Sequence, residues 1–233
     1  MSSIAFFDVD GTLMRGFSGY YTTLNLMRRR VIKLRRLPMA ILYKVLASLY
    51  TGNVRKMYEV AIADMAGRHI DEILRIGRET FEEYIKPRIY REALEEIERQ
   101  RSKGNAIILI SSGPYMAVKI IEEFVKADGS YSIGPVVENQ ILQNRLMEPF
   151  TYQEGKIEAA TLATRERNVS LGDCCFYADT HHDLPLLSTV GHPRVVNPDR
   201  KLRTIAAQRG WPVLEFKNLL GSRLDAMRIR EKA

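Results

Sequence analysis

The stretch Ser3-Ile4-Ala5-Phe6-Phe7-Asp8-Val9-Asp10-Gly11-Thr12-Leu13 decides how this chain is read. Its apolar, aromatic part, residues 4–7, has the pattern of a short buried strand. Gly11 then lets the backbone turn sharply. Asp8 and Asp10 are thereby placed at the carboxyl end of a strand, where open α/β sheets gather their ligands. Around one metal and one phosphate, two such carboxylates can do different jobs. Taken alone, the cluster reads equally well as an Asp-Gly turn after an edge strand. The remainder of the chain has to decide.

With 233 residues, 45% hydrophobic and 27% charged, the chain fits one large globular domain or a core with a smaller insert. Cys174 and Cys175 are adjacent, and neighbours on a strand point to opposite faces. They are read as packing thiols in a reducing compartment, not as a disulfide. The amino terminus enters the Asp cluster without a basic n-region or a long apolar h-region, so a cytoplasmic protein is expected. The net charge is +7, and Arg28, Arg29, Arg30, Lys33, Arg35 and Arg36 crowd into one run. Such a run is a solvated helix face or a contact with an anionic membrane, here through residues 28–50. Nucleic acid is not expected, because the nearby Tyr20, Tyr21 and Tyr43 show no spacing suited to base stacking.

Residues 15–86 contain almost no strand-like alternation. The apolar run 37–50 is too short to cross a membrane, which takes about 20 residues. Residues 54–65 carry Tyr58, Ile62 and Met65 on one helical stripe. Asp71 is placed to cap a helix over 71–85, with Ile73, Ile76, Thr80, Phe81 and Tyr84 along one face. This whole stretch reads as a small helical bundle inserted after the first strand. From residue 87 the grammar changes. An amphipathic helix over 92–103 stops at Gly104. A nearly pure apolar strand follows over 106–110, then a Ser111-Ser112-Gly113-Pro114 turn that opens the helix Tyr115–Val125. Residues 132–137 and 140–146 read as a strand and a hairpin-like excursion. A helix following Glu154-Gly155-Lys156 through about 168, strand 174–178, short helix 184–189, strand 194–196, helix 200–209 and strand 213–216 complete an α/β pattern with a parallel sheet. The charged tail from Asn218 reads as a frayed helix.

Separate strand ends now carry Asp8 and Asp10, Ser111, and Asp179 with Asp183, and a helix start carries Lys156. Parallel strands align their carboxyl ends, so these groups can converge. Their carboxylates would repel one another unless Lys156 and a divalent metal relieve the charge. An all-oxygen ligand set favours a hard cation, most simply Mg²⁺. Backbone N–H groups after Ser111, at a helix start, would cradle a phosphate.

These motifs resemble those of the haloacid dehalogenase superfamily, in its subfamily IB branch that contains phosphoserine phosphatase. The resemblance rests on DVDGT at 8–12, Ser111 after its strand, Lys156 in EGKIEA, and YADTHHDLPLL at 177–187. VVNPDRKLRTIAAQRGWPVLEF continues in the manner of the subfamily. It implies a Rossmann-like parallel sheet flanked by helices, built from residues 1–14 and 87–233, with an all-helical cap over 15–86. It also implies a phosphomonoesterase in which Asp8 attacks phosphorus to form an aspartyl-phosphate, and Asp10 serves as acid and then base. Mg²⁺ would be held by Asp8, the Asp10 backbone carbonyl and Asp179, with Asp183 in support. Ser111, Ser112 and Lys156 would bind the phosphate oxygens. Ala178 replaces the family's usual Gly before Asp179, a small-for-small exchange. Of His181 and His182, one is expected to face solvent and the other to pack or cap.

Phosphoserine phosphatases of this branch carry a Glu shortly after the first motif to hold the substrate's amino group. Here that spacing falls on Phe17, beside Ser18, and residues 11–58 contain no acid. Phe17 and Ser18 are therefore candidate substrate-selecting residues. The expected substrate is a small phosphate ester other than phosphoserine. The alternatives are a lipid-linked phosphate at a membrane surface, a phosphotransferase or mutase using the same intermediate, and a binding protein on a degenerate core. The oligomeric state is left open.

Overall fold

The computed structural model describes residues 3–32 and 54–221. Lys33, Arg35, Arg36, the apolar run 37–50, the break at 51–53 and the tail beyond residue 221 lie outside the described residues. In chain order the elements are β1 (Ile4–Phe7), α1 (Ser18–Arg28), α2 (Val54–Ala63), α3 (Ile70–Thr80), α4 (Arg91–Ser102), β2 (Ala106–Pro114), α5 (Tyr115–Val125) and β3 (Gly129–Ile133). There follow β4 (Pro135–Glu138), β5 (Ile141–Leu146), α6 (Gly155–Arg167), β6 (Cys175–Ala178), α7 (Leu184–Leu187), β7 (His192–Val196), α8 (Arg200–Arg209) and β8 (Val213–Leu214). Among the described residues, no helix is long and apolar enough to cross a membrane.

β1 is buried on both faces, as a central parallel strand must be. Ala5 and Phe7 join a cluster with Ala93 and Ile97 of α4 and Ala117 and Ile121 of α5. Ile4 and Phe6 join the opposite cluster, with Ala159, Ala160 and Ala163 of α6 and Leu202 and Ala206 of α8. The two-residue period of the strand thus divides its side chains between two helical layers. The alanines let α6 lie close to the sheet, which seats its first turn, with Lys156, near the end of β1. The six-stranded sheet runs β3-β2-β1-β6-β7-β8, with every pairing parallel. The chain winds outward from β1 in one direction and then, from β6, in the other. β1 therefore stands at the reversal, where a crevice opens at the carboxyl ends. Both cysteines are free and buried, as read from their spacing.

The helices between β1 and β2 build a third cluster, in which Leu26, Ile62, Met65, Ile70, Ile73 and Ile76 pack with Leu142 and Leu146 of β5. The β4–β5 hairpin is a separate antiparallel pair. It bonds to these helices through the backbone: Gly67 N–H to Leu142 O at 2.8 Å, Leu142 N–H to Arg68 O at 2.9 Å, and Ile70 N–H to Gln140 O at 2.8 Å.

Three local expectations change. The cap of α3 is His69, whose ring accepts from the Asp71 N–H, because Ile70 is drawn into the helix by its place in the third cluster. That helix does not run evenly to residue 85; Phe81–Ile85 widens into a π-helical turn. There the Thr80 hydroxyl bonds back to the Ile76 carbonyl at 2.7 Å and accepts from Asn25 Nδ2 at 2.8 Å. Finally, β2 continues through Ser111-Ser112-Gly113 to Pro114 instead of turning into a helix. α5 spans Tyr115–Val125 as expected, but the N–H groups after Ser111 belong to the strand and are not the amino end of that helix.

Candidate active site

Asp8 follows β1 directly, and its N–H continues the sheet ladder to the Tyr177 carbonyl at 2.9 Å. The chain then turns at Gly11, whose φ is +79°. A Cβ there would lie 1.9 Å from Asp179 Oδ2, so only glycine permits both the turn and the approach of Asp179. Asp8, Asp179 and Asp183 each offer an oxygen, and these oxygens lie within 4.8 Å of one another. Lys156 enters between them, with Nζ 2.8 Å from Asp8 Oδ1 and 2.5 Å from Asp183 Oδ1. Gly155 makes this entry possible, since a Cβ would sit 1.8 Å from the Phe150 carbonyl oxygen.

Burial raises the Asp8 carboxyl to about 7; Lys156 pulls it back, while Asp183 and Asp10 push it further up. Asp179 is raised well above its ordinary value by burial and by Asp8 and Asp183. Burial opposes the charge on Lys156, but Asp183 and Asp8 outweigh it and hold the ammonium charged. One cation thus faces three carboxylates. A donor set made only of carboxylate oxygens with surplus negative charge fits a hard divalent cation.

Asp10 belongs to a different environment. Its Oδ1 accepts the Ser18 N–H at 2.7 Å and its Oδ2 the Ser18 hydroxyl at 3.1 Å. Removal from water raises Asp10 to about 6, against the pull of the two Ser18 bonds. Its side chain stands outside the group formed by Asp8, Asp179 and Asp183. Ser18 is fully buried, with its N–H and its hydroxyl both on this carboxylate. Phe17, by contrast, is 44% exposed. Its ring folds back over Gly19, within 2.7 Å of where a Cβ would stand.

The Ser111 hydroxyl oxygen accepts the Gly113 N–H at 2.9 Å, which leaves its proton to donate elsewhere. A Cβ on Gly113 would lie 2.9 Å from Ser18 Oγ, 3.1 Å from Ser111 Oγ and 3.3 Å from Asp10 Oδ2. Ser111, Ser18 and Asp10 therefore meet around this glycine. Ser112 does not offer its hydroxyl to this space: it donates to the Thr151 carbonyl at 2.8 Å. His182 is exposed, while His181 Nδ1 lies 2.8 Å from Asp199 Oδ2. Asp199 also caps α8 at the Leu202 N–H and bonds through its own N–H to the Asp179 carbonyl, so it braces the loop that carries Asp179. Asp199, Thr151 and Tyr58, whose hydroxyl donates to the Ser112 carbonyl at 2.5 Å, were not singled out as site residues from the sequence. Tyr58 was visible there only as one member of an apolar stripe.

The chain is similar to several known proteins. A chain from Mycobacterium tuberculosis named phosphoserine phosphatase is 30% identical over 93% of this chain and 72% of its own length. A histidinol-phosphatase of Neisseria meningitidis is 28% identical over 93% of this chain and 100% of its own length. The solved structure of a Bordetella pertussis protein of unknown function superposes with a TM-score of 0.82 at 21% identity, covering 92% of this chain and 98% of that one. The family model of haloacid dehalogenase-like hydrolases matches residues 5–188, a span that contains Asp8, Asp10, Ser111, Lys156, Asp179 and Asp183. On that match the chain belongs to the haloacid dehalogenase-like hydrolase family.

Proposed function

We propose that this hydrolase removes phosphate from a small phosphomonoester, with Asp8 as nucleophile and Asp10 as acid and base. The observation that carries this reading is Lys156 bridging Asp8 and Asp183 beside Asp179, with Asp10 held apart on Ser18. Lys156 fixes Oδ1 of Asp8 and so orients its carboxylate for attack on phosphorus. The phosphoryl group passes to Asp8, and Asp10 protonates the departing alcohol. Asp10 then takes a proton from the water that cleaves the aspartyl-phosphate. An acid at about 6 is matched to both transfers near neutral pH. Lys156 and the Ser111 hydroxyl stabilise the phosphoryl oxygens as charge spreads over them. Asp8, Asp179 and Asp183 would hold Mg²⁺, which when bound adds positive charge against the same oxygens.

The residue that selects the organic part is Phe17. The two named relatives differ in substrate at nearly equal identity, 30% and 28%, so their names do not choose between them. Phe17 brings no carboxylate to pair with an ammonium group, which disfavours phosphoserine. The lipid-linked alternative rests on a segment of which residues 33–50 lie outside the described residues; within it, Arg28 is engaged with the Tyr84 hydroxyl and Arg29 with Glu79 at 2.6 Å.

The test is a panel of phosphate esters with Mg²⁺, read as free phosphate and including O-phosphoserine, histidinol phosphate, sugar phosphates and an acceptor alcohol. Release of phosphate to water, with O-phosphoserine among the poorer substrates, is expected; transfer to the alcohol at the expense of water would make the chain a phosphotransferase. Asp8→Asn should abolish turnover, by at least about 1,000-fold. Near-normal activity in that variant would sink the assignment.

A further inference from the structure

The Ser111–Gly113 segment breaks its own sheet. β2 pairs with β3 at Ile110–Tyr131 and again at Pro114–Ile133. Between those points Ser111, Ser112 and Gly113 stand opposite Ser132 alone, so the ladder is interrupted by a bulge. Bulges of this kind re-aim a side chain, but they also deprive buried backbone groups of their ladder partners, and those groups must be satisfied elsewhere.

The replacements come from two distant parts of the chain. The Thr151 hydroxyl donates to the Ser111 carbonyl at 2.6 Å, and the Thr151 carbonyl accepts the Ser112 hydroxyl at 2.8 Å. Thr151 is completely buried and lies shortly before Lys156. The Tyr58 hydroxyl, reaching from α2, donates to the Ser112 carbonyl. Tyr58 is itself seated edge-on against Phe150, with ring centroids 5.9 Å apart, and Arg55 lies over the same ring at 5.4 Å. The segment around Phe150 and Thr151 therefore touches the helix α2 on one side and the bulge on the other.

We infer that Thr151 and Tyr58 are positioning residues whose hydroxyls hold the Ser111–Ser112 bulge, aim the Ser111 side chain at the bound phosphate, and make that aim depend on where α2 sits. This inference rests on the proposed phosphatase reading for the identity of the ligand. Neither hydroxyl reaches the phosphate; each acts through a backbone carbonyl. Because Tyr58 comes from the inserted helices, displacement of α2 frees the Ser112 carbonyl and loosens the phosphate seat in the same movement.

The experiment compares wild type with Thr151→Val, which keeps shape and removes the hydroxyl, Thr151→Ser, which restores it, and Tyr58→Phe. In Mg²⁺ buffer, inorganic phosphate is used as a competitive inhibitor of p-nitrophenyl phosphate hydrolysis, and its direct binding is measured by calorimetry. Inorganic phosphate has no organic part, so it reads the phosphate seat independently of any contact that Tyr58 makes with a leaving group. Thr151→Val and Tyr58→Phe should each weaken phosphate about 5- to 10-fold, the size of one lost hydrogen bond expressed in affinity. Thr151→Ser should stay near wild type. A folded Thr151→Val or Tyr58→Phe chain that melts lower yet binds phosphate as tightly as wild type overturns the inference and reduces the hydroxyl to a packing role. If Thr151→Val does not fold, Tyr58→Phe, which alters only the tip of a ring, decides the matter alone. A wild-type chain that neither hydrolyses the ester nor binds phosphate overturns the phosphatase reading and this inference together. Activity in wild type with unchanged phosphate affinity in the variants overturns this inference only.

Discussion

Asp8 and Asp10 stand two residues apart in one turn, yet their surroundings are opposites. Asp8 sits in an ionic knot with Lys156, Asp179 and Asp183. Asp10 is held by neutral donors, the amide and hydroxyl of Ser18. Both are raised, to about 7 and about 6, but for different reasons. At Asp8 burial is reinforced by like charges, which a cation can cancel. At Asp10 burial is offset chiefly by the two Ser18 hydrogen bonds, with a smaller pull from Lys156. On the proposed reading, one turn divides labour between a group whose charge awaits a counter-ion and a group that exchanges protons near neutrality.

The sharpest way to break this contrast is Asp10→Asn. It removes proton transfer but leaves the ionic knot intact, so kcat should fall about 100- to 10,000-fold while Mg²⁺ and inorganic phosphate still bind. Loss of phosphate affinity on the same scale would show that Asp10 belongs to the knot after all.

Metal removal comes next. In metal-free protein the folded state holds a proton on Asp8 up to about 7, whereas an unfolded aspartate releases it near 3.8. Between those values the native state binds more protons, so this group favours folding at low pH and loses that contribution as pH rises from about 4 to about 7. Mg²⁺ prefers the charged carboxylates and acts in the opposite sense. The melting-temperature gap between Mg²⁺ and chelator should therefore be widest above pH 7 and close toward pH 4. At 100 times its Kd, Mg²⁺ should add about 2.7 kcal/mol. A gap that does not change with pH would contradict the assignment of the raised carboxyls to the metal site.

Ser18→Ala should have the smallest effect. It removes one donor to the charged form of Asp10, so the limb of the pH–rate profile assigned to Asp10 should move above about 6 by less than one unit. The rate at neutral pH should change only about 2- to 10-fold. An unmoved limb would assign it to another group.

The groups that were legible in the sequence are those at the ends of periodic segments. Asp8, Ser111 and Asp179 each follow an apolar run, and Lys156 opens a helix, so local pattern was enough to bring them to one edge of the sheet. What escaped depends on contacts made across the chain. Ser-Ser-Gly-Pro has the composition of a turn, and only the β3 neighbour makes it a bulged strand. Thr151 is 40 residues from the carbonyl it holds, and Tyr58 is 54 residues from its own. Ser18 was named only as the neighbour of Phe17, and its two bonds to Asp10 depend on how the intervening turn folds. The His69 cap was missed for a local reason: Asp is the stronger capping type, but the buried place of Ile70 moved the helix start ahead of Asp71.

The β4–β5 hairpin sets a limit on how such an enzyme can be remade. Its residues come after β3, far along the chain from the helices it covers, yet Leu142 and Leu146 fill the same apolar cluster as Ile62, Ile70 and Ile73. A designer who excised 15–86 and spliced in a bundle from a cousin would strip those leucines of their cover and leave an unpaired ribbon open to aggregation. The part that can be exchanged as a working module is therefore discontinuous, an insert together with a ribbon drawn from the opposite half of the chain. New specificities should transplant intact only when both pieces travel together.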